Sequence, residues 1–188
     1  QRERFLPAIK LINKCCDVIN VDSGVDYRLR TLEQAELFHF PLDQKADDNL
    51  IHYFQQLSLD AGQKNKIITI NNRPLTTVQE SDGVVHFEFS TLCESARSQR
   101  DYMELSRLYH TVLLANVTQM GVDNDDSTRR FIALVDEFYE RHVKLIISAE
   151  VALECLYLEG RLTFEFKRCL SRLQEMQSHS YLASEHLP

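Results

Sequence analysis

The chain has 188 residues, of which 44% are hydrophobic and 26% charged, with a formal net charge of -7 and a pI near 5.5. That length supports a sizeable core, and the acidic balance argues against a general nucleic-acid binder. No apolar run approaches the roughly 18–20 residues that a bilayer span needs, so any membrane contact is expected to be indirect.

Phe5, Leu6, Ile9 and Ile12 form a short helical stripe with Pro7 in its first turn. Residues 17–21 read as a strand, the Asp22-Ser23-Gly24 turn follows, and residues 25–30 alternate like an extended segment. Residues 36–42 also read as extended, ending at Pro41. Leu50, Ile51, Phe54 and Leu57 have helical spacing behind an acidic cap region, which predicts a helix over 47–59. The 62–65 stretch is a loop. Residues 66–71 and 84–89 are β-rich, and the polar turn at 80–83 suggests that they pair as a hairpin or small sheet.

A different rhythm follows. Residues 101–109 are helical, 111–115 form an apolar strand, 125–128 cap a long helix reaching Arg141, and 143–148 form a second apolar strand. Two apolar strands around an amphipathic helix make a βαβ unit, which requires parallel strands and a right-handed crossover. A last helix covers 164–177, and the tail from His179 is expected to be loose. The pattern predicts a mixed α/β fold with a small sheet, in two compact lobes.

The motifs are informative by what they lack. None of the five glycines opens a GxxxxGK[ST] loop or a GxGxxG. The backbone cradle that such loops provide for phosphates is therefore absent from these 188 residues. Phe131-Ile-Ala-Leu-Val-Asp-Glu137 has the look of a Walker B strand, whose Asp and Glu serve magnesium and water. Phe131, Ile132, Leu134, Val135, Phe138 and Tyr139 share one helical face, however, and the next strand starts at Val143. The segment is read as a helix, with Glu137 and Arg141 as an i,i+4 pair. The five cysteines contain no CxxC pair and the seven histidines no HExxH. Reduced thiols in a cytosol-like compartment, with no metal site, are expected.

Several arginines stand out. Arg2 and Arg4 precede residues 5–9 at the start of the chain, and Arg97 and Arg100 flank a helix start that Ser98 can cap. Arg129 and Arg130 lie near the amino end of the long helix, where they oppose its dipole. A local rule broken in this way marks a candidate functional pair. The last helix, with Leu170, Leu173 and Met176, reads most simply as a packing helix, and Arg168 and Arg172, four apart on a shared face, give the alternative of an anion contact.

The segments QRERFLPAI, NVDSGVDYRLRTL, STLCESARSQRDYMELS, RRFIALVDEFYERHVKLIISAE and FEFKRCLSRLQEMQS together resemble the ZapE-type AAA+ cell-division ATPases of bacteria and their mitochondrial relatives. The resemblance runs from Gln1 to about Ser178. It implies that the chain is the carboxyl-terminal half of such a protein, the P-loop and Walker B strand preceding residue 1. Residues 1–42 would then end the AAA+ ATPase core, and residues 43–188 would form the lid and family-specific α/β region. It further implies that Arg4, with Arg2 as second choice, is an arginine finger acting in trans, and that Arg129 or Arg130 is a sensor-two arginine. ATP and Mg²⁺ as cofactors of the intact protein, self-association as an oligomer, and action on the FtsZ ring in the cytoplasm near the inner membrane are implied in the same way. A non-catalytic module that binds a division partner without nucleotide is the alternative.

Overall fold

The computed structural model describes residue 11, residues 14–16 and residues 27–188. The stripe at 5–12, the strand and turn at 17–24, and Arg2 and Arg4 lie outside the described residues.

Most of the sheet is parallel. Strands β6 (Val84–Glu88), β7 (Thr111–Val117) and β8 (Lys144–Ala149) run parallel and adjacent, and β1 (Phe38–His39) extends β8 in the same direction. On the other side β5 (Gln79–Ser81) and β2 (Gln63–Lys64) continue antiparallel, giving the order β1-β8-β7-β6-β5-β2. Helices α3 (Gln99–Leu108) and α4 (Asp125–Glu140) make the two crossovers that the parallel strands demand.

The strands alternate between two cores. Val85, Phe87, Val112, Leu114, Leu145 and Ile147 meet Tyr102 and Leu105 of α3 and Phe131, Leu134 and Phe138 of α4. Val84, Leu113, Ala115 and Ile146 point the other way, onto Leu50, Phe54 and Leu57 of α2 (Gln44–Leu57) and Leu32 of α1 (Tyr27–Gln34). With both faces covered, β7 and β8 must read as near-continuous apolar runs, and they do. Helix α5 (Thr163–Glu175) packs outside α4, where Phe166 stacks on Phe131 with ring centroids 6.3 Å apart.

Residues 131–137 are helical, inside α4. That segment is as expected, and other expectations change. Of the 25–30 segment, the described residues 27–30 lie in α1, not a strand; Leu29 and Leu32, one turn apart, face α2 and the sheet. The loop expected at 62–65 contains β2. Residues 66–71 do not pair with 84–88: β3 (Ile67–Ile70) turns back through Asn71 and Asn72, both at positive φ, and pairs with β4 (Arg73–Thr76). The turn at 80–83 instead joins β5 to β6. The β3–β4 ribbon does not found a separate lobe, because Ile70 and Leu75 are buried in the main core.

The tail is docked. Helix α6 (His179–Ala183) is capped by Ser178 and buries Tyr181 and Leu182. The Tyr181 hydroxyl donates toward the carbonyls of Phe138 and Val143, both at 3.1 Å. Apolar anchors spaced only one residue apart in a short polar stretch give little sequence signal.

Candidate functional site

In open α/β sheets, ligand and partner sites gather outside the carboxyl ends of the parallel strands. Here that edge carries a π-helical turn (Ser90–Glu94) after β6, residues 118–124 after β7 and residues 150–162 after β8. A β-bulge near the end of β7 puts Asn116 at φ 61°. Its backbone N–H donates to Ser148 Oγ at 3.1 Å and its amide to Glu88 Oε2 at 2.8 Å, so the bulge ties the three strand ends together. Gln119 adds a second tie, its backbone N–H donating to Glu150 Oε2 at 2.9 Å and its side chain to the Cys155 carbonyl at 2.9 Å.

Arg129 and Arg130 stand in the second turn of α4 at this edge, behind Asp125 and Asp126 in the first turn. The two acids satisfy the helix dipole that the arginines oppose. The arginines then diverge. Arg130 is half-buried and donates from Nη1 to the Cys93 carbonyl at 3.0 Å, bridging α4 to the turn after β6. Arg129 is exposed. Arg130 also lines a cleft of about 600 Å³ with Glu94, Asp123, Asp125 and Asp126. Four carboxylates around one guanidinium suit a basic group from a neighbouring surface better than a phosphate. Among the described residues no cluster of three or more His, Cys, Asp or Glu side chains is arranged to hold a metal ion.

The amino end of α3 is held by a buried carboxylate. Asp101 is 1% exposed. It accepts from the Ser98 backbone N–H at 2.8 Å, from the Ser98 hydroxyl at 3.2 Å, from Asn71 Nδ2 at 3.1 Å and from Arg73 Nη2. Burial by itself would raise its pKa, but these donors outweigh it and hold the carboxyl below the usual aspartate range. Arg73 also donates to the Ala96 carbonyl at 2.6 Å, and Arg97 to the Pro74 carbonyl at 2.8 Å. Arg97 is thereby a clamp between the β3–β4 ribbon and the loop after β6. Ser98 was legible as a cap in the sequence; the part played by Asp101, and the reach of Asn71 and Arg73 some thirty residues away, were not.

Other arginines are also engaged in the fold. Arg168 pairs with Asp136 at 2.8 Å, and Arg172 pairs with Asp136 at 2.7 Å and Glu140 at 3.0 Å. Arg172 also lies over the Tyr139 ring, 4.8 Å from its centroid. The Arg168 and Arg172 face therefore joins α5 to α4, as in a packing helix. Glu137 accepts from Gln99 at 2.7 Å, while Arg141 donates to the Leu187 carbonyl at 3.0 Å, replacing the expected i,i+4 pair. Cys93 and Cys169 are fully buried, and burial pushes both thiols up, away from nucleophilic chemistry; Cys15, Cys16 and Cys155 are exposed.

Three histidines were not singled out by sequence. His39, at the end of β1, sits between Glu36 at 2.8 Å and Asp43 at 3.1 Å. The bond to Glu36 raises its pKa most, against burial, and Asp43 adds to the rise. His86 in β6 and His110 before β7 are pushed the other way, to about 4, by burial.

A family profile described as AFG1-like ATPase matches residues 1–185. The chain belongs to the AFG1-like ATPase family. It is 54% identical over 187 residues to the cell division protein ZapE of Escherichia coli (strain K12), covering 100% of this chain and 50% of that protein. It is 25% identical over 219 residues to the lactation elevated protein 1 homolog B of Danio rerio, covering 98% of this chain and 44% of that protein. The chain thus spans about half the length of the curated relatives it matches. No solved structure matches it. The mixed α/β architecture, with its mostly parallel six-stranded sheet, accords with the family.

Proposed function

We propose that this chain is the carboxyl-terminal part of an ATP-hydrolysing AAA+ protein of cell division that acts on the FtsZ ring. The observation that carries the reading is the identity of 54% along the whole chain to a cell division protein of an ATPase family. In this reading ATP and Mg²⁺ bind residues outside this sequence, since the 188 residues contain no phosphate-binding loop. Residues 1–42 end the ATPase core, and residues 43–188 form the lid and family-specific region. Hydrolysis occurs at a subunit interface of an oligomer, in the cytoplasm near the division site.

Arg4, or Arg2 beside it, is the arginine finger that reaches the ATP of the adjacent subunit and stabilises charge in the phosphoryl-transfer transition state. Of the two sensor-two candidates, Arg129 fits better, because its side chain is exposed whereas Arg130 is bonded to the Cys93 carbonyl. The test is Arg4→Ala in the intact protein. Turnover should fall by about 10³ to 10⁵, the contribution of such fingers in related NTPases. Unchanged turnover in an assembled oligomer rules the finger out.

A second reading, a partner-binding module that needs no nucleotide, draws support from the carboxyl-edge surface. Val122 and Leu158 are 63% and 67% exposed on the segments after β7 and β8, and Phe164, at the start of α5, is 82% exposed. Binding of FtsZ by this chain in the absence of ATP would favour that reading, and a strict ATP requirement would exclude it.

A further inference from the structure

The connection from α1 to α2, residues 35–43, carries strand β1 and a histidine held between two carboxylates. His39 is 7% exposed, and β1 sets it opposite Ser148 of β8. Its Nδ1 lies 2.8 Å from Glu36 Oε2 and its Nε2 lies 3.1 Å from Asp43 Oδ1. A carboxylate only accepts, and a neutral imidazole carries a single N–H. With a neutral ring, one of the two contacts would set a lone pair against a carboxylate oxygen. Glu36 and Asp43 keep side chains 58% and 45% exposed to water, the surroundings in which carboxylates carry their charge. The arrangement therefore suits an imidazolium that donates to both.

The two carboxylates belong to different parts of the fold. Glu36 lies in the turn after α1, where its backbone carbonyl accepts from Asn49 Nδ2 at 3.1 Å. Asp43 is the N-cap of α2, and the oxygen that meets His39 also accepts from the Ala46 N–H at 3.0 Å. The ring thus joins the start of α2 to the edge strand β1. Two residues make a shorter strand than the usual minimum of about three, so β1 needs support beyond its own pairing. Its register with β8 is extended by one further bond, from the Ile147 N–H to the Leu37 carbonyl at 2.9 Å. The charges that act on His39 are Glu36, from the α1–β1 turn, and Asp43, from α2; β8 contributes the neutral Ser148.

We propose that His39 is a proton-dependent latch, which fastens β1 to the start of α2 while its ring is doubly protonated and releases the 36–43 segment when the ring loses a proton. The latch rests on this geometry and is independent of the ATPase reading. A ring that served packing alone would need one carboxylate at most, since a neutral imidazole has one proton to donate. The bond to Glu36, with that to Asp43, raises the His39 pKa above 6.5 against the opposing effect of burial. A raised folded pKa gives a contribution that is complete below the unfolded value and is lost as pH rises through the folded one. The latch is therefore closed below pH 6.5 and opens in the alkaline direction, the opposite sense to His86.

The experiment is an NMR titration of the chain between about pH 5 and 9, with the His39 ring resonances assigned by their loss in His39→Gln. Hydrogen exchange is followed over the same range and corrected for the intrinsic pH dependence of the exchange rate. The Ile147 amide, bonded to Leu37, reports on β1, and the Ala46 amide, bonded to Asp43, reports on α2. The proposal expects a ring midpoint above 6.5 that falls in Glu36→Gln and in Asp43→Asn. Asparagine caps a helix as well as aspartate does, so the second variant removes the charge and keeps the cap. Protection of both amides should fall through the same midpoint, by about tenfold for each unit that the midpoint lies above the unfolded value. In His39→Gln that step should vanish. Should His39→Gln disturb the fold, the two variants at the exposed carboxylates carry the comparison. A midpoint at or below 6.5 overturns the proposal, as does one unmoved by both carboxylate variants. Protection that stays constant while the ring deprotonates overturns it as well.

Discussion

Replacing Asp101 by alanine should destabilise the chain by about 3 kcal/mol, chiefly because it removes the buried acceptor on which the start of α3 and the β3–β4 ribbon converge. The carboxylate is 1% exposed, whereas its partner Arg73 has a side chain 42% exposed and can rehydrate. The ion pair itself is therefore worth no more than a surface bridge, about 0–1 kcal/mol. The larger loss is local. The Ser98 backbone N–H loses its charged acceptor, which is the acid half of the α3 capping box and is worth about 1.5–3 kcal/mol. For a chain of this size that total shifts Tm by about 6–12 °C. Thermal and urea unfolding followed by circular dichroism measure it. Asp101→Asn, which keeps an acceptor oxygen, should lose less than half as much. Hydrogen exchange should quicken first in β3 and β4, since Asn71 and Arg73 hold that ribbon to the carboxylate. A Tm within about 2 °C of the parent, or an Asn variant as damaged as the Ala variant, would refute this reasoning.

Phe131→Ala removes a ring of 0% exposure that stacks on Phe166 and meets Phe89 edge-on, and should cost about 3–5 kcal/mol in urea unfolding. His86 gives an acid sensitivity: its folded pKa, about 4, lies below the unfolded value of 6.5, so its contribution is intact above pH 6.5 and lost as pH falls toward 4. That loss is about 3 kcal/mol, and His86→Phe should flatten the pH–stability curve over that window. Deleting residues 179–188 removes Tyr181 and Leu182, each 6% exposed, and the carbonyls that hold the buried Lys144; denaturant unfolding should show a loss of at least about 4 kcal/mol.

The elements legible in the sequence are those whose burial is uniform. β7 and β8 are nearly continuous apolar runs because helices cover both faces, and α4 repeats its apolar residues at helical spacing over 131–139. The elements that escaped depend on distant partners. Arg73 and Pro74 conceal β4, which exists because it pairs across the Asn71–Asn72 turn and seats Leu75 in the core. Helix α1 is short, with Leu32 its one buried residue, and its alternation imitates a strand. Of the candidate residues, Arg129 and Arg130 drew attention because they break the dipole rule. The burial of Lys144 was hidden inside an apolar run, where a lone lysine looks like the solvated end of a strand.

The central claim, that this chain is the part of an ATPase that does not itself bind nucleotide, is tested most directly by a fluorescent-ATP titration in magnesium. The chain is titrated beside the full-length gene product. The account predicts saturable binding by the full-length protein and none by the 188 residues. Tight binding by the chain alone, or none by the full-length protein, would contradict it.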